Sequence, residues 1–330
     1  MASQRNIAGT TSSNDIKLSN MLLAAYANEV LLTAQPSLVF TQVAQRRVEL
    51  TVQPGETITF LKYAPLTGKS DIDETATIET AAMSTSTVSI SVTEHAKAVA
   101  MSERLLRTAI DDVMGRAATL LGRHYSLDMN RMLKDSLRSL ASTIYAGDAA
   151  NRAALTAAKT LDLETVKDAI ETLATAKVPM FMGDYYVAFA HPHSIRRLRD
   201  DAGTDWVNVR DYTDENIAGG TGRLVGEVGR IENVRFISTT LAEYVPATTQ
   251  NIFSDGADTT DDTAVAANSA TDVYFTTIVG DYALALAEGL PVELRDNGLV
   301  DFGRNRAIAY YGIWGSGLIE SSHGLIIESA

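Results

Sequence analysis

The sequence predicts a mixed α+β fold, and three observations support this. Apolar and polar residues alternate with period two in short segments near both ends of the chain, which is typical of half-buried strands. Between about 105 and 140, apolar residues recur at helical spacing as one long stripe. A polar interval at 64–86 separates two of the alternating segments. The 330 residues exceed what one typical domain core needs, so one large domain or two intertwined domains are expected. No internal repeat is visible.

The composition is that of an ordinary globular protein with an acidic surface. The 330 residues carry a formal net charge of −13, with 45% hydrophobic and 21% charged residues. The acidic balance argues against a dedicated nucleic-acid reader and a membrane-surface protein, because both need basic patches. The absence of cysteine excludes disulfides and thiolate metal sites, and it suits a reducing cytoplasm. No apolar run approaches the roughly 20 residues that cross a bilayer.

The first third of the chain predicts an arm, a helix and three short strands. Residues 1 to about 15 are rich in Ser, Thr, Asn and Gly, and a helical pattern follows up to Pro36. The dipeptide Pro54-Gly55 marks a turn between the first two strands. The apolar residues expected on the buried faces of the strands are Val48, Leu50 and Val52, then Ile58 and Phe60, then Val88, Ile90 and Val92.

The interval at 64–86 is the unusual feature of the sequence. It holds eight Ser or Thr, four acidic residues and one lysine, so it cannot bury much apolar surface on its own. Its position between two alternating segments predicts an extended β-ribbon that projects from the body of the protein. A flexible surface loop is the alternative that the composition leaves open.

The middle of the chain predicts a long helix. Ser102 is a suitable N-cap, and Glu103 is well placed in the first turn. The apolar stripe that follows predicts a helix over 115–141, which would be about 40 Å long. Gly115 and Gly122 are candidate sites for a break or a kink.

The remaining segments predict a further helix, several strands and an acidic loop. The helix is expected over 162–177, and His191-Pro192-His193 is expected to form a turn into a short helix. Residues 254–272 contain five Asp and no basic residue, which is typical of an exposed loop. Strands are predicted at 185–190, 234–238, 273–278, 283–287, 292–294 and 307–313, with interruptions at Gly312, Gly315, Gly317 and Gly324.

Residues with catalytic chemistry are sparse. The five histidines are dispersed except for His191 and His193, which are interpreted as part of a turn rather than as a metal site. The glycine-rich stretch at 219–226 lacks the spacing of a phosphate loop, and Gly315-Ser316-Gly317 lacks that of a nucleophile elbow. The sequence therefore predicts no catalytic, cofactor-binding or metal-binding residues.

A series of short motifs runs along the chain from about residue 18 to the C-terminus. The motifs are Gln35-Pro-Ser-Leu-Val-Phe40, Gly55-Glu-Thr-Ile-Thr-Phe60, Tyr63-Ala-Pro-Leu66, Ala188-Phe-Ala-His-Pro192, Trp206, Tyr212 and Gly226-Glu-Val-Gly-Arg-Ile-Glu-Asn-Val-Arg-Phe-Ile237. Each motif is short, and their joint order and spacing carry the match. In this order they resemble the major capsid proteins of tailed bacteriophages related to the coliphage called N-four.

The resemblance implies the capsid fold named after phage Hong Kong 97. That α+β fold has an N-terminal arm, an extended β-hairpin loop, a long spine helix, and peripheral and axial domains. The helix predicted over 115–141 would be the spine. The implied segments are an N-terminal arm and helix at 1–34, peripheral-domain strands at 35–56, the extended loop with flanking strands at 57–93, the peripheral domain with the spine helix at 94–158, the axial domain at 159–272, and axial and peripheral strands at 273–330.

The function that the resemblance implies is structural rather than enzymatic. It is that of a major capsid protein that self-assembles into the icosahedral shell around the phage's double-stranded DNA. The extended loop is expected to contact a neighbouring subunit through Lys69, Ile72, Ile78 and Met83. The expected partners are further copies in hexameric and pentameric capsomers, a separate scaffolding protein, a portal protein and packaged DNA held non-specifically, with a decoration protein as a further candidate. The expected location is the virion capsid, assembled in the host bacterial cytoplasm, and no cofactor is expected.

Two other functions fit parts of the sequence. An encapsulin, the shell protein of a bacterial nanocompartment, shares the implied fold but encloses cargo enzymes instead of DNA. A soluble α+β hydrolase is a more distant alternative, because it needs a clustered nucleophile and base that the dispersed histidines do not supply.

Overall fold

The computed structural model describes residues 38–48, 57–63, 80, 82–109, 112–209, 222–247 and 271–330. The predicted N-terminal arm and helix lie outside these ranges, as do Leu50, Val52 and most of the acidic loop at 254–272. Three of the four predicted contact residues also lie outside them, namely Lys69, Ile72 and Ile78.

Helices and strands are mixed along the described chain, which confirms the predicted α+β class. The helices are α1 (Glu103–Thr108), α2 (Val113–Leu137), α3 (Leu163–Thr175) and α4 (Pro192–Ala202). The strands are β1 (Gln45–Val48), β2 (Thr57–Tyr63), β3 (Thr85–Ser91), β4 (Thr93–Ser102), β5 (Ser142–Tyr145), β6 (Tyr186–Ala190), β7 (Val207–Asn208), β8 (Glu227–Ile231), β9 (Val234–Ser238), β10 (Tyr244–Val245), β11 (Val273–Val279), β12 (Leu284–Val300), β13 (Asn305–Leu318) and β14 (Gly324–Ser329).

The described residues divide into two compact units. The first unit takes Glu94–Leu127 and Pro291–Ile313, and the second takes Leu38–Thr93, Asp128–Leu290 and Trp314–Ala330. Helix α2 and strands β12 and β13 each contribute residues to both units.

An eight-stranded mixed sheet lies in the second unit, in the order β5-β14-β11-β6-β9-β8-β7, with β10 pairing with β11. Strand β11 is antiparallel to β14 and β6, whereas the pairs β6–β9 and β14–β5 are parallel. A four-stranded sheet has the order β1-β12-β13-β4, and β2 pairs with β3 in a two-stranded ribbon.

The core of the second unit forms where α3 and α4 pack on the eight-stranded sheet. All five residues of β6 are buried, as expected for an uninterrupted apolar strand covered on both faces. The two helices contribute Val166, Leu173 and Leu198 to this core. Asp162 caps α3 by accepting a hydrogen bond from the Thr165 amide at 2.9 Å. The helix predicted over 162–177 is thereby confirmed.

The predicted helix start at Ser102 is confirmed, but the apolar stripe beyond it is split. The Ser102 hydroxyl accepts a hydrogen bond from the Leu105 amide at 3.2 Å, and α1 ends after six residues. Ala109 has extended backbone angles, with φ −69° and ψ 139°. The chain then restarts as a helix where the Asp112 carboxylate accepts from the Met114 amide at 3.1 Å, so an acidic N-cap divides the stripe.

Helix α2 confirms the long helix predicted over 115–141, and its 25 residues span roughly 37 Å. The break considered at Gly115 and Gly122 is wrong, because one continuous helix includes both positions. Leu121, Met129 and Leu133 are buried along it, and this packing offsets the roughly 1 kcal/mol that each glycine costs. No helix in the described ranges is long and apolar enough to cross a membrane.

The C-terminal strands are longer than the sequence predicts. The segments predicted separately at 283–287 and 292–294 belong to the single 17-residue strand β12. The interruptions predicted at Gly312, Gly315 and Gly317 are wrong, because β13 continues to Leu318. Gly315 and Gly317 do not form a turn; they leave space for a neighbouring strand. Cβ atoms there would meet Ser91 and Ile90 of β3.

Strand β1 has the opposite face buried from the one predicted. Val48 is exposed, whereas Arg47 is half-buried. The reason is the partner of this strand, since β1 pairs in parallel with residues 285–288 of β12. Arg47 then lies with its guanidinium 5.6 Å from the centroid of the Phe60 ring, where its aliphatic stem is shielded and its charged head stays accessible.

Candidate assembly surface

Strands β2 and β3 form a two-stranded antiparallel ribbon. Their register pairs Thr57 with Ser91 at one end and Tyr63 with Thr85 at the other. The strands are the two predicted from period-two alternation, on either side of the polar interval. An isolated pair of strands is at best marginally stable in water, so the ribbon needs support from other elements.

The base of the ribbon receives that support on one face. Ile58, Phe60 and Ile90 are buried there against Ala285 and Ala287 of β12. The small side chains of the two alanines leave room for the larger ones of the ribbon. This contact confirms the predicted inward direction of Ile58, Phe60 and Ile90.

Glycines in β13 let the base of the ribbon approach closely. A Cβ at Gly315 would overlap the carbonyl oxygen of Ser91 and lie 3.2 Å from the Val92 Cα. A Cβ at Gly317 would lie 3.1 Å from the Ile90 Cγ1. The ribbon can therefore lie this close to β13 only because Gly315 and Gly317 have no Cβ atom.

Charged side chains connect strand β2 to other segments of the second unit. The Arg47 guanidinium donates a hydrogen bond to the Thr59 carbonyl oxygen at 2.5 Å. Lys62 forms an ion pair with Glu320, which follows β13. Strand β2 is therefore held at two positions, at Thr59 in the base and at Lys62 between the exposed Leu61 and Tyr63.

The far half of the ribbon has a different surface. Leu61 is 57% exposed, Tyr63 is 59% exposed and Met83 is 71% exposed, and the neighbouring residues Thr85–Thr87 are exposed too. Large apolar side chains exposed close together mark an interaction site more often than a free surface. Each strand also has a single partner in the described structure, so main-chain groups on the outer edges are available to another molecule.

The predicted contact residues are described only in part. Met83 lies in this exposed group, whereas the positions of Lys69, Ile72 and Ile78 are not described. Leu61 and Tyr63 were missed by the sequence prediction, which considered only the buried face of β2. The alternation could have identified them. Leu61 and Tyr63 lie on the same exposed face of β2 as Thr57 and Thr59, and apolar residues at exposed positions indicate a contact surface.

His191 and His193 lie in an aromatic cluster at the start of α4. The ring centroid of Tyr274 lies 5.0 Å from that of His191 and 4.6 Å from that of His193. The His191 Nδ1 accepts a hydrogen bond from the His193 amide at 3.2 Å, which caps the helix. The predicted turn is therefore a helix N-terminus. Among the described residues, no three potential metal ligands come together.

This cluster predicts a loss of stability in mild acid. Burial lowers the pKa of both histidines, and a neighbouring positive charge lowers each further, from His193 on His191 and from Arg197 on His193. The unfolded state, with pKa values near 6.5, then binds more protons than the folded state, so the free energy of unfolding falls as the pH drops below about 6.5. Urea titrations across that pH range measure the fall.

The double variant His191→Asn, His193→Gln is expected to show a smaller fall than the parent chain. Asn preserves an N-cap acceptor, so the helix start survives while both titrating groups are gone. An equally steep fall in the variant would show that other groups cause the acid sensitivity.

The helices and strands of this chain match those of solved phage capsid structures. The capsid of Ralstonia phage GP4 matches with a TM-score of 0.69 and 17% identity, over 87% of this chain and 87% of that chain. This chain has the fold of phage capsid proteins. The capsids of cyanophages Pam1 and P-SCSP1u match with TM-scores of 0.60 and 0.56, each at 15% identity. They cover 87% and 89% of this chain, and 88% of each capsid chain.

The capsid fold was predicted from the motifs, and the structural likeness confirms it as a fold. No family model matches the sequence, and no curated protein matches it either. At identities of 15–17%, the agreement lies in the order and pairing of helices and strands.

Proposed function

We propose that this chain is the major capsid protein of a tailed bacteriophage, a subunit that self-assembles into the icosahedral shell around double-stranded DNA. The observation that carries the proposal is the β2–β3 ribbon, which is anchored at its base and apolar and exposed at its far end. The similarity to solved phage capsid chains over most of both lengths supports it. The role is structural rather than catalytic.

The ribbon acts by reaching a second copy of the chain. Leu61, Tyr63 and Met83 would lose their exposed apolar surface against the neighbour, and each square ångström removed from water contributes about 25 cal/mol. Lys69, Ile72 and Ile78 would extend the same contact. Copies related by closed symmetry use such heterologous contacts to form rings.

The segments of the chain have proposed roles in this shell. We assign 1–34 to the arm and its helix, 35–56 to peripheral strands, 57–93 to the extended loop with its flanking strands, 94–158 to the peripheral domain with the spine helix, 159–272 to the axial domain, and 273–330 to axial and peripheral strands. A separate scaffolding protein, a portal protein, a decoration protein and packaged DNA are the proposed partners. Assembly would take place in the host cytoplasm, and the virion capsid is the proposed location.

An encapsulin would use the same fold and the same ribbon. The molecules enclosed in the particles therefore distinguish an encapsulin from a capsid. Particles that purify with double-stranded DNA support the capsid, whereas particles that purify with an enzyme support the nanocompartment. A hydrolase would need a catalytic pair at an accessible site. The two adjacent histidines of the described structure instead stack on Tyr274.

Shortening the ribbon tests the proposal. Tyr63 and Thr85 are paired, so deleting 66–84 leaves only Ala64 and Pro65 between them, which is the length of a two-residue hairpin loop. Adding Ala64→Asn and Pro65→Gly supplies the turn residues that such a loop prefers. We expect a folded subunit, because the buried base is untouched, but no closed shells in electron micrographs.

The matched control carries Ala64→Asn and Pro65→Gly without the deletion and is expected to form shells. Circular dichroism and urea unfolding verify that the shortened subunit is folded. Normal particles from the shortened chain would contradict the proposal that the ribbon joins subunits.

A further inference from the structure

A short segment of the second unit, residues 38–43, contacts two elements that are far from it in the sequence. Its regular structure is the single 3₁₀ turn Phe40–Gln42, and one turn does not hold its own conformation in water. The conformation of the segment therefore depends on the elements that it contacts. We call residues 38–43 the strap.

The first contact of the strap is with helix α2. The Asn130 Oδ1 accepts hydrogen bonds from the Val39 amide at 3.1 Å and from the Phe40 amide at 3.3 Å. Asn130 and Phe40 are each 1% exposed, so these amides would be costly to leave unpaired. The Phe40 ring centroid also lies 4.4 Å from that of Phe189 in β6. The strap is therefore fixed both to α2 and to the eight-stranded sheet.

The second contact is made by the side-chain amide of Gln42. Its Nε2 donates hydrogen bonds to the carbonyl oxygens of Val39 at 3.0 Å and of Val225 at 3.2 Å. Its Oε1 accepts a hydrogen bond from the Val225 amide at 2.7 Å. Both N–H donors of the side chain and its oxygen are thus used. The exchange of two bonds with Val225 is that of a hydrogen-bonded pair in an antiparallel ladder, but one side chain supplies it.

The segment that Gln42 holds, residues 222–226, leads into β8 without being part of a strand. Side chains fix it instead of a ladder. The Glu227 carboxylate accepts a hydrogen bond from the Leu224 amide at 2.8 Å. Glu227 is buried and lies 3.8 Å from the buried Arg235 of β9, so this anchor belongs to the β8–β9 hairpin. Gln42 adds an anchor from outside that hairpin.

We propose that the strap couples helix α2 to residues 222–226, so that its two contacts open together as one cooperative unit. Both contacts meet at Val39, whose amide bonds to Asn130 and whose carbonyl oxygen bonds to Gln42. Loss of the Asn130 contact therefore also releases the side chain that holds Val225. The proposal concerns the conformation of a single subunit, so it stands or falls separately from the proposed function.

The rival interpretation is two independent contacts. Gln42 would then hold Val225 equally well whether or not Asn130 holds the strap. The exchange of the Val225 amide with solvent deuterium distinguishes the two interpretations, because this amide exchanges only when its bond to Gln42 opens. Coupled contacts make that rate depend on Asn130, whereas independent contacts do not.

Hydrogen exchange of the full chain, read by mass spectrometry with fragmentation to single amides, measures these openings. Gln42→Ala removes both donors and the acceptor, and it is expected to speed exchange of the Val225 amide about tenfold. Asn130→Ala is expected to speed the same amide at least about threefold, although the substitution lies on α2. An unchanged rate at Val225 in Asn130→Ala would overturn the coupling.

A double variant separates the coupling from a general loosening of the fold. With Asn130→Ala and Gln42→Ala combined, the Val225 amide is expected to exchange as fast as with Gln42→Ala alone, because the effect of Asn130 passes through Gln42. Multiplied effects would refute the proposal. Thr41→Val is the matched control in the strap, since the Thr41 hydroxyl bonds to the Leu38 carbonyl oxygen at 3.4 Å. It is expected to leave the Val225 rate unchanged.

A measurement on the parent chain needs no substitution. Amides that open in one cooperative unit share the same dependence of exchange on low concentrations of urea. The amides of Val39, Phe40 and Val225 are expected to show one shared dependence. A different urea dependence for Val225 would show that the two ends of the strap open separately, and the proposal would then be wrong.

Discussion

Gly315→Ala is expected to lower the free energy of unfolding by about 4 kcal/mol or more, because overpacking against fixed backbone is one of the few mechanisms that give losses of that size. The new methyl group would overlap the carbonyl oxygen of Ser91 and lie 3.0 Å from its carbonyl carbon. Both are backbone atoms in β3, so no side chain can rotate away. Relief requires the base of the ribbon to separate from β13, which would expose Ile90 and Phe60 to water.

Urea unfolding followed by far-ultraviolet circular dichroism measures the loss. Gly222→Ala is the matched control, because a methyl group at Gly222 would have no neighbouring atom within 4 Å and the residue has no positive φ. The control is expected to match the parent within about 0.5 kcal/mol. Similar stability of both variants would show that the ribbon can shift freely, contrary to the close packing of its base.

Arg152→Ala is expected to destabilise the protein by about 3–5 kcal/mol, the range for a buried charge that loses its partner. The side chains of Arg152 and Glu328 are only 13% and 4% exposed, and two guanidinium nitrogens each donate to a different Glu328 oxygen at 2.6 Å. The hydrogen bond to Glu328 raises the pKa of Arg152. Without Arg152, Glu328 would be left as a carboxylate within the β14 strand.

Chemical denaturation of three variants separates burial from pairing. Arg152→Ala alone is expected to show the full loss. The double variant Arg152→Met, Glu328→Leu is expected to regain most of the stability that Arg152→Ala loses, because an apolar pair leaves no uncompensated charge. Arg107→Ala breaks an ion pair that is largely exposed and is expected to cost less than about 1 kcal/mol. A small effect of Arg152→Ala, comparable to that control, would contradict the buried-charge argument.

Local patterns were sufficient where an element is set by residues close in sequence. Alternation located β2 and β3 and the inward direction of Ile58, Phe60 and Ile90, which the structure confirms. Ser102 identified a helix start in the same way. Its hydroxyl accepts a hydrogen bond from the amide of Leu105, only three residues away.

Glycines in β13 show where local patterns fail. The sequence predicts that Gly315 and Gly317 interrupt a strand, because glycine is common in turns. In the structure they continue a strand and make space for β3. The same residue type serves both purposes, and only the position of a distant segment decides between them.

The candidate site was predicted in part. The sequence located the ribbon and its polar interval, and it named Met83, which the structure finds exposed. It missed Leu61 and Tyr63, because an apolar residue in a strand was expected to face the core. It also gave no sign of the contact between Gln42 and Val225, which lie 183 residues apart in the chain.

The sequence by itself determined the α+β class, the long helix and the two strands of the ribbon, because periods of two and 3.6 residues and the caps act within a few residues. The tertiary structure alone decided which side of β1 is buried, how closely β13 approaches the ribbon, and where Arg152 meets Glu328. Those features join segments far apart in the chain. Their energies come from desolvation and packing between segments, which no local pattern records.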